Sequence, residues 1–516
     1  QNTYDKRGRS LGWGSDSINT MIKHWPGDGA GEGGRESHLN AGKYAVYPGD
    51  NFDEHTEPFL AAKNATAVMS SYSIAIAKDG SPLTGNRVGS AYDKVKIDLL
   101  RNSGYDGVIC TDWGVTTGYT DANSIFGMAW GMEKASVNER HYAVLRAGVD
   151  MFGGNNKTAP VLAAHAMWQA DFKAGKNAID ADTRFRQSAE RILRMLMLPG
   201  LFENPYLDLA ASKKIVASDD KIQAGLDAQF DSVVMLKNAN RTIRPSSLKK
   251  FAKQTVYIPS SIGHGFPSVF SQATTDITGP TLDAEVAKKY FKKVLTDTPV
   301  LDSAGKVIDY VMPDLKDVDV VLAGMRSPDN GNNFTGAGRN SDGTYYPLSL
   351  QWGPYTANGP NVRRTSIAGD IRDDGTVENR SYFGASSRIG NAYDLTALKR
   401  TVKAVKGIER RTGRNIPVIV AVKAKTSFIP AEFEKMVDAI LVGYSLNDKV
   451  LIETALGQHE PQGRLPIASP KNMNAVEKQL EDVGEDMKPY VDSVGHRYLF
   501  GYGLNWRGVI GERRHR

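Results

Sequence analysis

The sequence predicts an α/β fold assembled from parallel β/α units, and three observations predict it. Short apolar runs of strand length recur along the chain, helix-like amphipathic stretches separate them, and several runs stop abruptly at polar or aromatic residues. The sharpest case is 107–114, where Val108-Ile109-Cys110 breaks off into Thr111-Asp112-Trp113-Gly114. In parallel β/α architectures the chemistry collects at the carboxyl ends of strands, and Asp112 takes that position. An Asp after a strand is more often only the N-cap of the next helix, so its neighbours have to decide its role.

In chain order, 20–25 reads as a strand that runs into a glycine-rich loop, 26–38. A helix is predicted over 57–64, with Pro58 tolerated in its first turn. A second buried strand covers 65–72. The helix over 94–102 ends at Ser103-Gly104, a C-cap signature, and the third strand follows over 107–112. A helix over 139–147 and a strand over 148–152 complete four units. Four units are half of an eight-stranded barrel, so the stretch is either an open sheet or a barrel lacking about four upstream units.

A long amphipathic helix is predicted over 179–196, then a Pro-containing connector over 198–218, then a helix over 221–236. Apolar runs at 255–258, 318–323, 416–422 and 439–442, with helices over 395–405 and 431–437, predict a second α/β sandwich. The stretch 326–391 has few apolar runs and many Gly, Asn, Asp and Arg residues. A connection that long is usually functional or disordered.

Composition narrows the class. The 516 residues are 41% hydrophobic and 24% charged, which suits several globular cores. No run approaches the ~20 apolar residues of a membrane span. The net charge of +6 is small and its cations are interspersed with acids, so neither nucleic acid nor membrane is an expected partner. The basic tail, 511–516, reads as a frayed terminus. The single cysteine, Cys110, excludes an internal disulfide and a Cys-based metal site. The compartment stays open, with export to the periplasm or beyond the cell favoured.

No phosphate-loop, dinucleotide-binding, zinc-protease or nucleophile-elbow motif is present. What remains is a set of polar residues at strand ends: Lys23, His24, Tyr72, Asp112 and Trp113. Such a set suits a sugar. Lys and His can donate to vicinal hydroxyls, an indole can stack on a pyranose face, and a carboxylate can attack or stabilise an anomeric carbon.

The segment Lys23-His24-Trp25-Pro26-Gly27-Asp28-Gly29, with Gly34-Arg35-Glu36-Ser37-His38, resembles the Lys-His-Phe-Pro-Gly-Asp-Gly…His signature of glycoside hydrolase family 3. Val68-Met69-Ser70-Ser71-Tyr72 resembles that family's next strand, and Gly104-Tyr105-Asp106-Gly107-Val108-Ile109-Cys110-Thr111-Asp112-Trp113 its nucleophile strand. Ser232-Val233-Val234-Met235-Leu236-Lys237-Asn238 is similar to the start of its second domain. Gly463-Arg464-Leu465-Pro466 and His496-Arg497-Tyr498-Leu499-Phe500-Gly501-Tyr502-Gly503-Leu504 are similar to its closing motifs.

The resemblance implies a retaining exo-β-glycosidase acting on β-linked glucose or xylose of oligosaccharides or glycosides, with no metal or organic cofactor. It implies Asp112 as nucleophile, Lys23, His24 and Tyr72 along the sugar subsite, and Trp113 on the acceptor wall. Asp28 and His38 are expected to brace the loop. The retaining mechanism needs a second carboxyl ~5–5.5 Å from the nucleophile, which in such proteins commonly comes from the second domain. Glu378, the only glutamate of 326–391, is the expected acid/base, with Asp329, Asp342 and Asp370 as rivals; against it stands a simple ion pair with a nearby arginine. A branch of the family, the bacterial N-acetylglucosaminidases, uses a loop His instead, and no such loop stands out here.

The resemblance implies a C-terminal half of a (β/α)8-type barrel over 1–197, a linker over 198–220, an α/β sandwich over 221–510 that contributes to the active site, and a tail over 511–516. It also implies a second polypeptide or a homo-oligomer that completes the barrel. The competing reading is a non-catalytic carbohydrate-binding or assembly subunit.

Overall fold

The computed structural model describes residues 3–15, 17–117, 128–268, 270–271, 273–331 and 335–511; the predicted tail falls outside them from residue 512. The fold is mixed α/β. Its first sheet has three parallel strands, β1 (Met21–Trp25), β3 (Ala67–Ser70) and β5 (Val108–Cys110), in the order β1-β3-β5. A separate parallel pair, β2 (Tyr44–Tyr47) with β4 (Ile74–Ala77), lies beside it. The predicted strand over 148–152 is reduced to a single parallel bridge between Cys110 and Met151.

β3 and β5 are apolar along their length because they are buried on both faces, as parallel strands are. β1 is an edge strand: Met21 to His24 keep some exposure, and Trp25 is buried. The sheet is covered by helices α1 (Phe52–Ala61), α2 (Lys94–Asn102), α3 (Val137–Ala147), α4 (Thr158–Lys173) and α5 (Ala181–Met197). α2 begins where the Asp93 side chain accepts the Val95 N–H, and α3 where Ser136 and Glu139 form a capping box. α1 starts five residues before its predicted position. Asn51, at its N-terminus, is docked by tertiary bonds: its N–H donates to the Asp482 carboxylate and its amide to the Asp482 carbonyl. Pro58 therefore sits inside the helix rather than in its first turn.

The 198–220 stretch holds a short helix, α6 (Leu209–Ile215), before α7 (Asp219–Ser232). The helix predicted over 221–236 stops at Ser232. Residues Val234–Asn238 form a strand, β6, because Val233 to Leu236 are fully buried and pair antiparallel with a core strand.

Chain order then continues through β7 (Thr255–Ile258), β8 (Ser260–Gly263), β9 (Ile277–Pro280), β10 (Lys293–Thr296), β11 (Val320–Arg326), α8 (Tyr393–Thr412), β12 (Val418–Ala424), β13 (Ala439–Tyr444), α9 (Asp448–Ala455), β14 (Leu504–Asn505) and β15 (Gly508–Val509). Eight of these strands make one sheet, β10-β7-β11-β12-β13-β6-β14-β15, in which β10 to β13 run parallel and β6 antiparallel. Its apolar strands fill the larger core. The helix predicted over 431–437 is instead two 3₁₀ turns, Pro430–Glu432 and Glu434–Met436. Glu434 is fully buried there, and its carboxylate meets Lys237 Nζ at 2.7 Å.

Two ionic assemblies organise the molecule. Asp150, with no exposed side-chain surface, accepts the Ile109 N–H at 3.0 Å, the Ser188 hydroxyl at 2.8 Å and Arg191 Nη1 at 3.1 Å; Arg101 also pairs with it. The second assembly joins the 366–380 hairpin to the first sheet's loops. Asp370 accepts from Lys43 Nζ at 2.8 Å, Tyr44 Oη at 2.7 Å and Arg380 Nη2 at 3.1 Å. Lys43 also reaches Glu133 at 2.6 Å. Among the described residues no helix is long and apolar enough to cross a membrane.

Asp150→Ala leaves buried guanidinium groups uncompensated and is expected to lower stability by about 3–5 kcal/mol, read as a lower urea midpoint at unchanged m-value. Asp370 gives a pH-dependent test. Burial pushes its carboxyl up, but Lys43 and Arg380 outweigh burial and hold it at about 2. A depressed folded value contributes stability above the unfolded value of about 4 and loses it as pH falls toward 2. Asp370→Asn is therefore expected to cost about 1 kcal/mol at pH 7, a figure reduced for solvent screening of a partly exposed group. Urea melts repeated down to low pH should show the difference between variant and parent closing between about pH 4 and pH 2.

Candidate active site

β5 delivers Asp112. Val108, Ile109 and Cys110 are at most 1% exposed, and burial pushes the Cys110 thiol up to about 12, so it stays protonated and inert. Beyond the strand, the Thr111 N–H donates to the Met151 carbonyl at 3.0 Å and its hydroxyl accepts the Gly153 N–H at 2.8 Å. These bonds fix the backbone on both sides of the carboxylate. Asp112 caps no helix: residues 113–116 form turns, and the N–H its Oδ1 accepts is that of its immediate neighbour, Trp113, at 2.6 Å. The helix-cap reading is thereby removed.

The other oxygen is the notable one. Asp112 Oδ2 is buried and accepts no aligned hydrogen bond among the described residues. It meets the His24 ring, whose Nε2 lies 3.1 Å away. His24 Nδ1 is bonded on its far side to the Asp28 carboxylate. Asp28 thus orients His24 as well as bracing the loop.

His38 is the second histidine of the cluster. Its Nδ1 bonds the Glu36 carboxylate, and its ring lies 4.7 Å from that of Tyr72 and 6.5 Å from that of His24. Burial lowers the His38 pKa, but the Glu36 bond and the charges of Glu36, Asp112 and Asp28 outweigh it and raise the value. Trp130 Nε1 donates to the Ser37 carbonyl at 3.1 Å and fastens this loop.

Trp113 projects outward, 58% exposed, across Gly154, whose φ of +70° and missing side chain leave the indole its place; a Cβ there would fall 2.8 Å from the ring. Tyr72 differs from expectation. It is 2% exposed, and its hydroxyl donates to the Trp113 carbonyl at 2.6 Å. Burial first, then the Asp112 charge, drive its pKa far above the ordinary phenol value. It positions Trp113 and presents no free hydroxyl to a sugar. Lys23 is exposed on β1, next to His24, and has no ion-pair partner among the described residues.

Glu378 stands otherwise than a proton donor requires. Its Oε2 pairs with Arg380 Nε at 2.7 Å, and Tyr345 Oη donates to Oε1 at 3.1 Å. Burial pushes its carboxyl up, yet the Arg380 charge outweighs that and holds it below the usual carboxylate range. The ion pair weighed against the catalytic role is thus present. The rivals fare similarly: Asp342 is held low by bonds from Thr344, and Asp370 by Lys43 and Arg380. Glu36 lies within the Gly34–His38 motif, but its bond to His38 depends on the loop's course. Among the described residues no group of three or more His, Cys, Asp or Glu is arranged to hold a metal.

A buried carboxylate with one oxygen fixed and the other unbonded, edged by an imidazole and an exposed indole, can act as a nucleophile or an electrostatic stabiliser for a ring that stacks. Comparison with known proteins agrees with that chemistry. Residues 9–195 match the glycosyl hydrolase family 3 N-terminal domain. The chain is 28% identical over 489 residues, 94% of its length and 61% of the relative's, to β-glucosidase C of Emericella nidulans. It is 34% identical over 245 residues, 44% of its length and 36% of the relative's, to a periplasmic β-glucosidase/β-xylosidase of Dickeya chrysanthemi. The solved β-glucosidase of Listeria innocua with isofagomine shares the fold at a TM-score of 0.56 and 16% identity, over 95% of this chain and 59% of that one. The chain thus spans about 60% of the length of the β-glucosidases that match it nearly end to end. Residues 9–195, which carry the motifs that meet around Asp112, thus match the glycosyl hydrolase family 3 N-terminal domain.

Proposed function

We propose that this chain carries the catalytic centre of a retaining exo-β-glycosidase that removes terminal β-linked glucose or xylose from oligosaccharides or glycosides. One observation carries the reading: the buried Asp112 carboxylate at the end of β5, with Oδ1 fixed by the Trp113 N–H and Oδ2 free of aligned donors. Oδ2 attacks the anomeric carbon, the bond to the leaving oxygen breaks as that oxygen takes a proton from a general acid, and a glycosyl ester forms on Asp112. Water then attacks the same carbon from the face the leaving group vacated, giving its proton to the same group acting as base, and the carboxylate departs, so configuration is retained. His24 and Lys23 donate to ring hydroxyls, and the exposed Trp113 indole stacks on the acceptor. The β-glucosidase and β-glucosidase/β-xylosidase relatives support glucose and xylose as the sugars, and the periplasmic one supports export.

The same reading makes β1, β3, β5 and the Cys110–Met151 bridge the carboxyl-terminal half of a (β/α)8 barrel, with the β6–β15 region as the second wall. A barrel half needs its complement. Phe202, Tyr206, Leu207 and Leu209 are all more than half exposed along the 198–220 stretch, more apolar surface than a solvated connector normally shows. Further polypeptide, whether adjoining barrel units, a second chain or a second copy of this one, is proposed to cover it and complete the sugar pocket.

A 2-deoxy-2-fluoro-β-glucoside with a good leaving group should trap the intermediate. Peptide mass analysis is expected to show the label on Asp112, and Asp112→Ala should lower turnover by a factor on the order of 10⁴. A label on another residue, or an unlabelled chain in an assembly that turns over, removes the assignment. For Glu378→Ala, a loss of activity that added azide does not restore is expected, because the variant breaks the Arg380 pair rather than removing a proton donor. Formation of a β-glycosyl azide would instead make Glu378 the acid/base.

A further inference from the structure

A cavity of about 590 Å³ lies at the carboxyl edge of the eight-stranded sheet, within the size range that holds small organic ligands. Strand order explains its place. Numbered along the chain, the parallel strands β7, β10, β11, β12 and β13 lie in the sheet as 2-1-3-4-5. The chain leaves β7 for β10 on one side, then crosses to β11 on the other. The connections diverge there, and a crevice opens beyond the carboxyl ends of the strands. The walls come from those ends: 263–266 after β8, which continues β7; 326–329 after β11; 423–426 after β12; and 445, 446 and 448 after β13.

The walls differ in chemistry. Arg326, Lys423 and Lys425 supply cations; Phe266, Ile277 and Leu446 are apolar. Two of the cations are already matched. Arg326 Nη2 meets Asp394 at 2.8 Å, and Lys423 Nζ meets Asp448 at 3.1 Å. Of the other lining carboxylate, Asp329, Oδ1 accepts the Gly331 N–H at 2.8 Å. Lys425 is exposed and has no ion-pair partner among the described residues. Beside it, the Thr426 hydroxyl oxygen is shielded from solvent yet has no hydrogen-bond partner among them. A shielded hydroxyl without a partner is a cost that a ligand group would relieve.

We propose that this crevice binds a monosaccharide-sized organic anion, a polyol ring bearing a carboxylate or a phosphate. The anionic group meets Lys425, a ring hydroxyl meets Thr426, and the apolar ring face lies against Phe266 and Leu446. No residue of the Asp112 cluster lines the cavity, so the inference stands apart from the glycosidase reading.

Isothermal titration of the whole chain with D-glucuronate, glucose 6-phosphate and glucose tests it. At least one of the two anionic sugars is expected to bind about tenfold or more tightly than glucose, with affinity falling as salt rises. Which of the two binds distinguishes carboxylate from phosphate. Lys425→Glu, at an exposed position, should keep the parent's melting temperature and weaken the anionic sugar about tenfold or more; Asp112→Ala should bind it as the parent does. Glucose binding as tightly as both anions overturns the proposal. So does an unchanged affinity in Lys425→Glu, or loss of binding in Asp112→Ala, which would place the anion in the Asp112 cluster.

Discussion

One carboxylate with no exposed side-chain surface, Asp150, anchors β5 to the helices packed around it. Taking a charge out of water costs several kcal/mol unless it is paired and hydrogen-bonded. Here the compensation is spread over distant parts of the chain: Arg101 on α2, Arg191 and Ser188 on α5, and the backbone N–H of Ile109 on β5, with Arg184 Nη1 3.8 Å away. Two helices are thereby tied to the strand that ends at Asp112. The geometry of the candidate nucleophile is inherited from that anchor, two residues beyond the last residue of β5.

The glycine-rich loop of 26–38 is the other constraint, and its glycines serve packing rather than phosphate binding. A Cβ on Gly31 would lie 2.6 Å from the Arg35 carbonyl oxygen, and one on Gly42, just beyond the loop, would lie 2.1 Å from that of Glu36. Folded this tightly, the loop brings Asp28 and His38 beside His24 and turns Glu32 and Arg35 toward the 366–380 hairpin. The Glu32 carboxylate accepts the Ile367 N–H at 2.6 Å, and Arg35 Nη2 donates to the Arg380 carbonyl at 2.9 Å. Residues far apart in sequence are thus joined through a single turn of chain. The 326–391 stretch, which looks featureless as sequence, is shaped by these contacts and by Asp370 on Lys43.

The parts of the fold that can be read without coordinates are those with local causes. α2 carries its own start at Asp93 and stop at Ser103-Gly104, and its predicted and observed limits coincide. β7 and β13 are continuous apolar runs that fit only a strand buried on both faces. Errors arise where a distant partner intervenes. Val233 to Leu236 follow a helix with no break in apolar pattern, and only pairing with β13 makes them a strand. The start of α1 is set by Asp482, more than 400 residues away. Residues 148–152 carry a strand's composition, yet the bonds they form with β5 amount to one bridge.

By itself, the sequence determined the α/β class and the set of polar residues at strand ends, Lys23, His24, Tyr72, Asp112 and Trp113, as the residues to examine, because strand period and motif spacing are local properties of the chain. Only the tertiary structure decided which oxygen of Asp112 is free, that the Tyr72 hydroxyl turns to the Trp113 carbonyl, and that Glu378 is held by Arg380. Those outcomes depend on where each side chain finds its hydrogen-bond and charge partners once packed, and no spacing along the chain encodes that direction.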